Sequence, residues 1–184
     1  RASLESASAT QTISPYDNWL KQYSAKYGFD WRLMASQAFQ ESRFNPKAVS
    51  WAGAVGVFQI MPRTARDLGI TGIEEPETSI RGGIKYMRWL VDQFESKIEF
   101  RQRVRFALAS FNAGLGHVKD ARRLAKSIGL DPNRWFHNVE KALLKLQERR
   151  YYKKAKYGYC RGSEPVKYVS EIQSRYDAYV KLVP

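Results

Sequence analysis

One carboxyl group in this chain has a setting that suggests chemistry. Glu41 lies near the end of an apolar helical pattern, and a loop with two glycines, Gly53 and Gly56, follows it. On a helix, Met34 would lie about 20° from Glu41 around the axis and Gln37 within about 60°. Burial among such residues disfavours the ionised carboxyl and raises its pKa, as a proton donor near neutral pH requires. Glu41 is therefore a candidate general acid, although a lone glutamate on an amphipathic helix is more often a solvent-exposed boundary residue.

The loop that follows carries groups suited to an amide-bearing sugar. Glycine lets the backbone turn tightly and lets a ligand approach main-chain N–H and C=O groups, so Gly53 and Gly56 predict a close approach. Ser50, Gln59 and Met61 would line the same concavity with a hydroxyl, an amide and a thioether. Each signal is weak alone, since a pair of glycines is usually a turn and a methionine usually belongs to the core.

Composition limits the class of protein. The 184 residues, 43% of them hydrophobic and 14% aromatic, indicate one compact domain with a core and exclude a disordered chain. The 31 Lys and Arg against 18 Asp and Glu give a net charge of +13. That excess predicts attraction to polyanions such as nucleic acid, anionic lipid or an acidic cell-wall polymer, without choosing among them.

Cysteine and histidine are scarce. Cys160, His117 and His137 are the only ones in the sequence, so we expect no intrachain disulfide, no His/Cys zinc cluster and no metal at the site; nothing indicates a cofactor. Cys160 is expected to be a buried small hydrophobe. No apolar run approaches the ~20 residues needed to span a bilayer. Because the chain starts at Arg1 without a signal-like stretch, we interpret it as a soluble piece of a longer precursor.

The hydrophobic pattern predicts an all-α domain. Residues 1–13 are rich in Ala, Ser and Thr and are interpreted as a linker or disordered end, and residues 14–184 as the domain. No segment alternates as a strand would. The predicted helices begin at Ser14-Pro15, run from about Trp31 to Ser42 between an Asp30 cap and Asn45-Pro46, follow Pro62, and cover roughly residues 77–94. Helical periods also run from Val104 to Phe111 and from Val118 to Ile128, Asp131-Pro132 is a further start signal, and Pro165 can occupy the first position of a last helix.

Three blocks, taken together, are specific. Glu41-Ser42, the run GAVGVFQIMP from Gly53 to Pro62 and the run ASFNAG from Ala109 to Gly114 resemble the signature blocks of the lytic transglycosylases related to goose-type lysozyme. The resemblance covers residues 14–184. It implies a lysozyme-like (goose-type) helical domain with a substrate groove.

The resemblance also implies roles for individual residues. Glu41 matches the family's sole catalytic acid. The substrate-binding matches are Ser50, Gln59 and Met61 beside the cleaved bond, Asn112 in the third block, and Glu164 and Tyr168 in the run EPVKYV. The sequence departs from the family pattern in two places: Phe111 replaces the commoner Tyr, and Pro165-Val166 replaces Thr-Arg.

The reaction implied by the resemblance uses one carboxyl twice. The glutamic acid protonates the glycosidic oxygen between N-acetylmuramic acid and N-acetylglucosamine, and the carboxylate then accepts a proton from the sugar's own 6-hydroxyl. The product carries a 1,6-anhydro ring. The implied partner is peptidoglycan, in the periplasm and associated with the outer membrane, and the implied full-length protein has an upstream regulatory module.

Three alternatives stay open at this stage. A goose-type hydrolase would use the same glutamate with water as the nucleophile, and would be expected to place a further Asp or Glu near the anomeric carbon. A nucleic-acid-binding helical domain would explain the net charge, but no DNA- or RNA-reading motif supports it, so no nucleic-acid partner is expected. A wall-binding module without activity is disfavoured because Glu41 is intact.

Overall fold

The computed structural model describes residues 11–184, and these form nine α-helices and no strand. Two isolated antiparallel bridges, Val49 with Val55 and Val55 with Ile60, are the only ladder-like pairs in that range. The all-α prediction is therefore confirmed. The helices are α1 Asp17–Tyr27, α2 Trp31–Ser42, α3 Pro62–Asp67, α4 Pro76–Asp92, α5 Phe100–Ala113, α6 Leu115–Ser127, α7 Glu140–Lys145, α8 Arg149–Tyr152 and α9 Ser163–Leu182. The linker predicted for residues 1–13 falls mostly outside the described residues.

Helix α2 has the predicted bounds. Asp30 caps it, because its carboxylate accepts a hydrogen bond from the backbone N–H of Arg32 at 2.9 Å. The helix ends for a different reason from the one expected. Arg43 and Phe44 both adopt left-handed backbone angles, with φ of 53° and 62°, so the chain turns before Asn45-Pro46.

Helix α1 begins at Asp17, later than the predicted start at Ser14-Pro15. The buried carboxylate of Asp17 accepts hydrogen bonds from the backbone N–H groups of Ile13 and Ser14, at 2.8 and 2.9 Å. Ser14 donates a third bond from its hydroxyl at 2.9 Å. These bonds hold residues 13–16 in a turn, and Ser14 contributes to that turn instead of capping the helix.

Two other predicted starts were wrong. The helix expected from Pro132 begins at Glu140, after a kinked turn in which His137 has a φ of 63°. The turn buries Trp135 completely against Phe106, with ring centroids 6.4 Å apart, and this burial overrides the local start signal. Helix α9 begins two residues before Pro165, with Gly162 as its N-cap.

A single core joins the helices and places three of them around the site. Helix α2 packs against α9, and α9 packs against α5. Cys160 is buried, as predicted. The fully buried large side chains are Leu20, Met34, Phe58, Ile60, Ile80, Ile84, Met87, Leu90, Phe106, Trp135, Leu143 and Leu146. The carboxyl end of α2, the carboxyl end of α5 and the first half of α9 therefore share one region.

Candidate active site

A chain of hydrogen bonds links α2 to α9 at Glu41. The phenol hydroxyl of Tyr168 donates to Oε1 of Glu41 at 2.6 Å. Nε2 of Gln37, one turn before Glu41 on α2, donates to the same phenol oxygen at 3.1 Å. Gln37 and Tyr168 are both buried, so water does not compete for these bonds. Tyr168 is thereby fixed as the donor to Glu41.

Burial raises the pKa of Glu41 from its ordinary value of 4.5 to about 7, and the hydrogen bond from Tyr168 acts in the opposite direction. Burial and the nearby Glu41 charge raise the pKa of Tyr168 well above its ordinary value. The phenol therefore keeps its hydrogen while Glu41 gains and loses one near neutral pH.

Glu41 lines a cleft of about 270 Å³ between α2, α5 and α9. Four predicted site residues meet there: Glu41, Asn112, Glu164 and Tyr168. Asn112 lies in the last turn of α5, and Glu164 and Tyr168 lie one turn apart on α9. The complete lining is Gln40, Glu41, Asn112, Glu164, Lys167, Tyr168 and Glu171.

The other three predicted residues lie on the loop between α2 and α3 and do not line that cleft. Ser50 accepts a hydrogen bond at its hydroxyl from the N–H of Ala54, at 3.0 Å. Gln59 donates from its amide nitrogen to the carbonyls of Ala48 and Gly56, both at 2.9 Å. The hydroxyl and the amide thus brace the loop. Met61 precedes α3 with its side chain exposed.

The loop is tied directly to the residue after Glu41. The hydroxyl of Ser42 donates to the carbonyl of Val57 at 2.7 Å. The N–H of the next residue, Phe58, donates to the hydroxyl of Ser79 on α4 at 3.0 Å. Phe58 itself is fully buried. This part of the loop is therefore tied both to the end of α2 and to α4.

The role expected for Gly56 was wrong. A Cβ at this position would lie 2.7 Å from the carbonyl oxygen of Ile73 and 3.0 Å from the hydroxyl oxygen of Ser79, and the residue has a φ of 82°. Its missing side chain thus serves packing of the loop against the protein, not the approach of a ligand. Gly53 has a φ of 91°, and a Cβ at this position would have no other atom of the described residues within 4 Å, so packing does not restrict it.

The sequence analysis did not predict a functional role for four residues of the site: Gln37, Gln40, Lys167 and Glu171. Gln37 could have been identified because it is a polar residue one turn before Glu41, on the face of α2 that is otherwise buried in the core. Lys167 and Glu171 lie three residues after Glu164 and Tyr168 respectively, so they share a face of α9 with them. That spacing could have identified both.

The other two carboxylates of the cleft are engaged by partners. Glu164 pairs with Arg161 at 3.2 Å. Glu171 accepts a hydrogen bond from Nε2 of Gln40 at 2.6 Å and pairs with Lys167 at 3.7 Å. Within the lining of this cleft, Glu41 is the carboxyl group without an ion-pair partner.

Comparison with known proteins shows the family to which the chain belongs. The sequence profile of the Transglycosylase SLT domain matches residues 18–131, more than half of the chain. The chain belongs to the transglycosylase SLT domain family. The matched segment includes Glu41, the loop that follows it and Asn112, whereas Glu164 and Tyr168 lie beyond it.

Two relatives of this SLT domain are named membrane-bound lytic murein transglycosylase F. The one from Shewanella pealeana is 44% identical over 91% of this chain and 36% of its own length. The one from Shewanella loihica is 48% identical over 82% of this chain and 32% of its own length. The three blocks also predicted a likeness to the catalytic module of transglycosylase F, and these matches confirm it. The chain spans about a third of the length of these relatives.

A solved structure shares the fold of this SLT domain. The 70 kDa soluble lytic transglycosylase from Escherichia coli superimposes with a TM-score of 0.61 at 27% identity, over 92% of this chain and 24% of that protein. The lysozyme-like fold prediction is confirmed. In the part of the chain that the structure describes, no helix has the length and apolar character needed to cross a membrane.

Proposed function

We propose that this SLT domain is a peptidoglycan lytic transglycosylase. It cleaves the β-1,4 bond between N-acetylmuramic acid and N-acetylglucosamine without water and leaves a 1,6-anhydro ring on the muramoyl sugar. The observation that carries the proposal is the Glu41 carboxyl, with a pKa of about 7, opening into a cleft and hydrogen-bonded by Tyr168. Membership of the family and the names of the relatives support the same reaction.

In the proposed reaction, the two oxygens of Glu41 have different tasks. Oε1 accepts the hydrogen of Tyr168, so the acidic proton is carried by Oε2. Because Gln37 donates to the phenol oxygen, the phenol hydrogen stays directed at Glu41. Oε2 then delivers its proton to the glycosidic oxygen. General acid catalysis of this kind contributes roughly 10²- to 10⁴-fold to the rate.

The same carboxyl completes the reaction as a base. Once Oε2 has lost its proton, the Tyr168 hydrogen bond stabilises the carboxylate, which the buried site otherwise disfavours. The muramoyl N-acetyl group assists at the anomeric carbon, and Oε2 takes the proton of the 6-hydroxyl as that oxygen closes the ring. A pKa near ambient pH suits both steps, since neither form of Glu41 is strongly preferred.

The remaining predicted residues are assigned to the substrate by position. Asn112 and Glu164 present an amide and a carboxylate to the cleft. Ser50 and Gln59 act through the loop that their side chains brace, and Met61 offers its exposed thioether to a sugar ring. The proposal gives none of these residues a role in binding a metal ion or a cofactor.

The competing hydrolase is distinguished by product mass. A hydrolase would need a second carboxylate to position water, and Glu164 and Glu171 are already bonded to Arg161, Gln40 and Lys167. Mass spectrometry of sugars released from purified sacculi separates the reactions, because an anhydro product is lighter by one water than the hydrolysed one. Anhydro products support the proposal, and hydrolysed products would refute it.

The setting of the domain is part of the proposal. We infer that residues 14–184 form the catalytic unit, that residues 1–13 link it to an upstream regulatory module, and that the full-length protein works in the periplasm at the outer membrane. The support is that relatives matched over about a third of their length are named membrane-bound. Fractionation of cells that produce the full-length protein tests this; recovery in the cytoplasm would contradict it.

A further inference from the structure

A second groove adjoins the cleft along α2 and α9, on the other side of the Gln40–Glu171 hydrogen bond. It has a volume of about 610 Å³ and is lined by Phe39, Gln40, Arg43, Ser170, Glu171, Ser174 and Arg175. Gln40 and Glu171 line both spaces, and Gln40 is the neighbour of Glu41 in the chain. This second groove, which we call the arginine groove, therefore lies next to the cleft that holds Glu41.

The two arginines of the groove are held by one aromatic ring. The guanidinium carbon of Arg175 lies 4.3 Å from the centroid of Phe39, and that of Arg43 lies 6.0 Å from it. Arg175 also donates to Oε1 of Gln40 at 2.8 Å. These contacts restrict the side chains before any ligand arrives, so less conformational entropy is lost on binding.

Both guanidinium groups keep donors for a ligand. Across residues 11–184, neither Arg43 nor Arg175 lies within salt-bridge distance of a carboxylate. The carboxylate of the groove itself, Glu171, is occupied by Gln40 at 2.6 Å and by Lys167 at 3.7 Å. Two arginines without an ion-pair partner among the described residues, beside a carboxylate that already bonds Gln40 and Lys167, make a site for an anion, and the planar fork of arginine suits a carboxylate in particular.

We propose that the arginine groove binds a carboxylate of the peptide attached to the muramoyl sugar of the substrate. This inference rests on the proposed function, because it takes the peptide-bearing glycan as the substrate. The peptide branches from the sugar ring whose glycosidic bond lies at Glu41, so its carboxylates reach the adjoining groove while the glycan stays in the cleft. The groove thereby distinguishes glycan that carries peptides from glycan that does not.

Kinetics with two substrates tests the proposal. Glycan strands with peptides are compared with strands from which an amidase has removed them, using Arg43→Gln, Arg175→Gln and, as a matched control outside both spaces, Arg149→Gln. We expect KM for peptide-bearing strands to rise about tenfold in each of the first two variants, the loss expected for one charged hydrogen bond. KM for stripped strands should not change, and Arg149→Gln should behave as the parent protein. An equal rise on both substrates would overturn the proposal.

A binding experiment separates this proposal from the proposed function. The Nε–Hε signals of Arg43 and Arg175 are followed by ¹⁵N NMR in the Glu41→Gln variant during titration with a disaccharide-peptide, its peptide-free disaccharide or inorganic phosphate. Shifts that saturate at a lower concentration of the disaccharide-peptide than of phosphate support the groove, whether or not the parent protein is active. Shifts of equal size and affinity with phosphate, or none with the disaccharide-peptide, would overturn it.

Discussion

The phenol oxygen of Tyr168 lies 2.6 Å from Oε1 of Glu41, although the two residues are 127 positions apart in the chain. The contact exists because α9 packs along α2, which brings the buried Tyr168 under the partly exposed carboxyl. Burial raises the pKa of Glu41, and this one donor limits the rise. The acid strength of the site is therefore set by the packing of two helices.

Tyr168→Phe removes that donor and keeps the ring. The pKa of Glu41 should rise above about 7, since the bond from Tyr168 lowers it. Glu41 then stays protonated to higher pH, so the alkaline limb of the pH–rate profile should shift to higher pH. The loss of a bond to a charged group should lower kcat by roughly 10- to 100-fold. Tyr159→Phe, which removes an exposed hydroxyl, is the control; identical profiles for the two variants would contradict the assignment.

Gln37→Met should separate activity from stability. Gln37 is fully buried, its Nε2 bonds to Tyr168, and its Oε1 is buried without a hydrogen-bond partner. Methionine fills a similar volume and removes that unsatisfied acceptor, so the melting temperature should stay equal or rise. The phenol loses its orienting donor, so kcat should fall and the alkaline limb should shift in the same direction as in Tyr168→Phe, by less. A fall in melting temperature with unchanged kcat would show that Gln37 has only a structural role.

Glu41→Gln should stabilise the fold in a pH-dependent way. Because the folded-state pKa of about 7 exceeds the ordinary 4.5, the folded state binds more protons than the unfolded state between these values, and stability falls as pH rises through that window. Glutamine does not titrate. The gain in the free energy of unfolding should be near zero at pH 4 and on the order of 3 kcal/mol above pH 7. Urea unfolding at pH 4 and pH 8 measures it, with the exposed Glu74→Gln as control; a pH-independent difference would contradict the raised pKa.

Gly56→Ala and Gly53→Ala form a matched pair in one loop. Both glycines have positive φ, so alanine costs about 1 kcal/mol of backbone strain in each. Only at Gly56 would the new Cβ meet the carbonyl of Ile73, at 2.7 Å. Gly56→Ala should therefore lose several times more unfolding free energy, roughly 3 kcal/mol or above. Equal losses in chemical denaturation would show that Gly56 is not constrained by packing.

The sequence was enough to predict the features of the fold that depend on residues close together in the chain. The start of α2 follows from the Asp30 side chain, which accepts a hydrogen bond from an N–H only two residues along the chain. The apolar period was enough for the class of fold, and three short blocks were enough for the family. Where a local signal competed with burial, burial decided: the start signal at Pro132 yields to Trp135, which enters the core and forces the kink at His137.

The parts of the site that could not be predicted are the long-range ones. A helical repeat placed Gln37 beside Glu41, but only the packing of α9 makes its amide a partner of Tyr168. The two glycines predicted the loop. They do not show that a side chain at Gly56 would collide with Ile73, whereas one at Gly53 would meet no other residue of the described chain. The arginine groove likewise joins residues from α2 and α9 that no sequence spacing connects.

Titration of the Glu41 carboxyl itself tests the central claim most directly. Its side-chain carbon can be followed by ¹³C NMR from pH 3 to pH 9 in the unliganded domain, with Glu41→Gln used to assign the signal. The account predicts a midpoint near pH 7 for Glu41. A midpoint near 4.5 would mean that Glu41 is ionised at neutral pH, and the proposed proton donor would be lost.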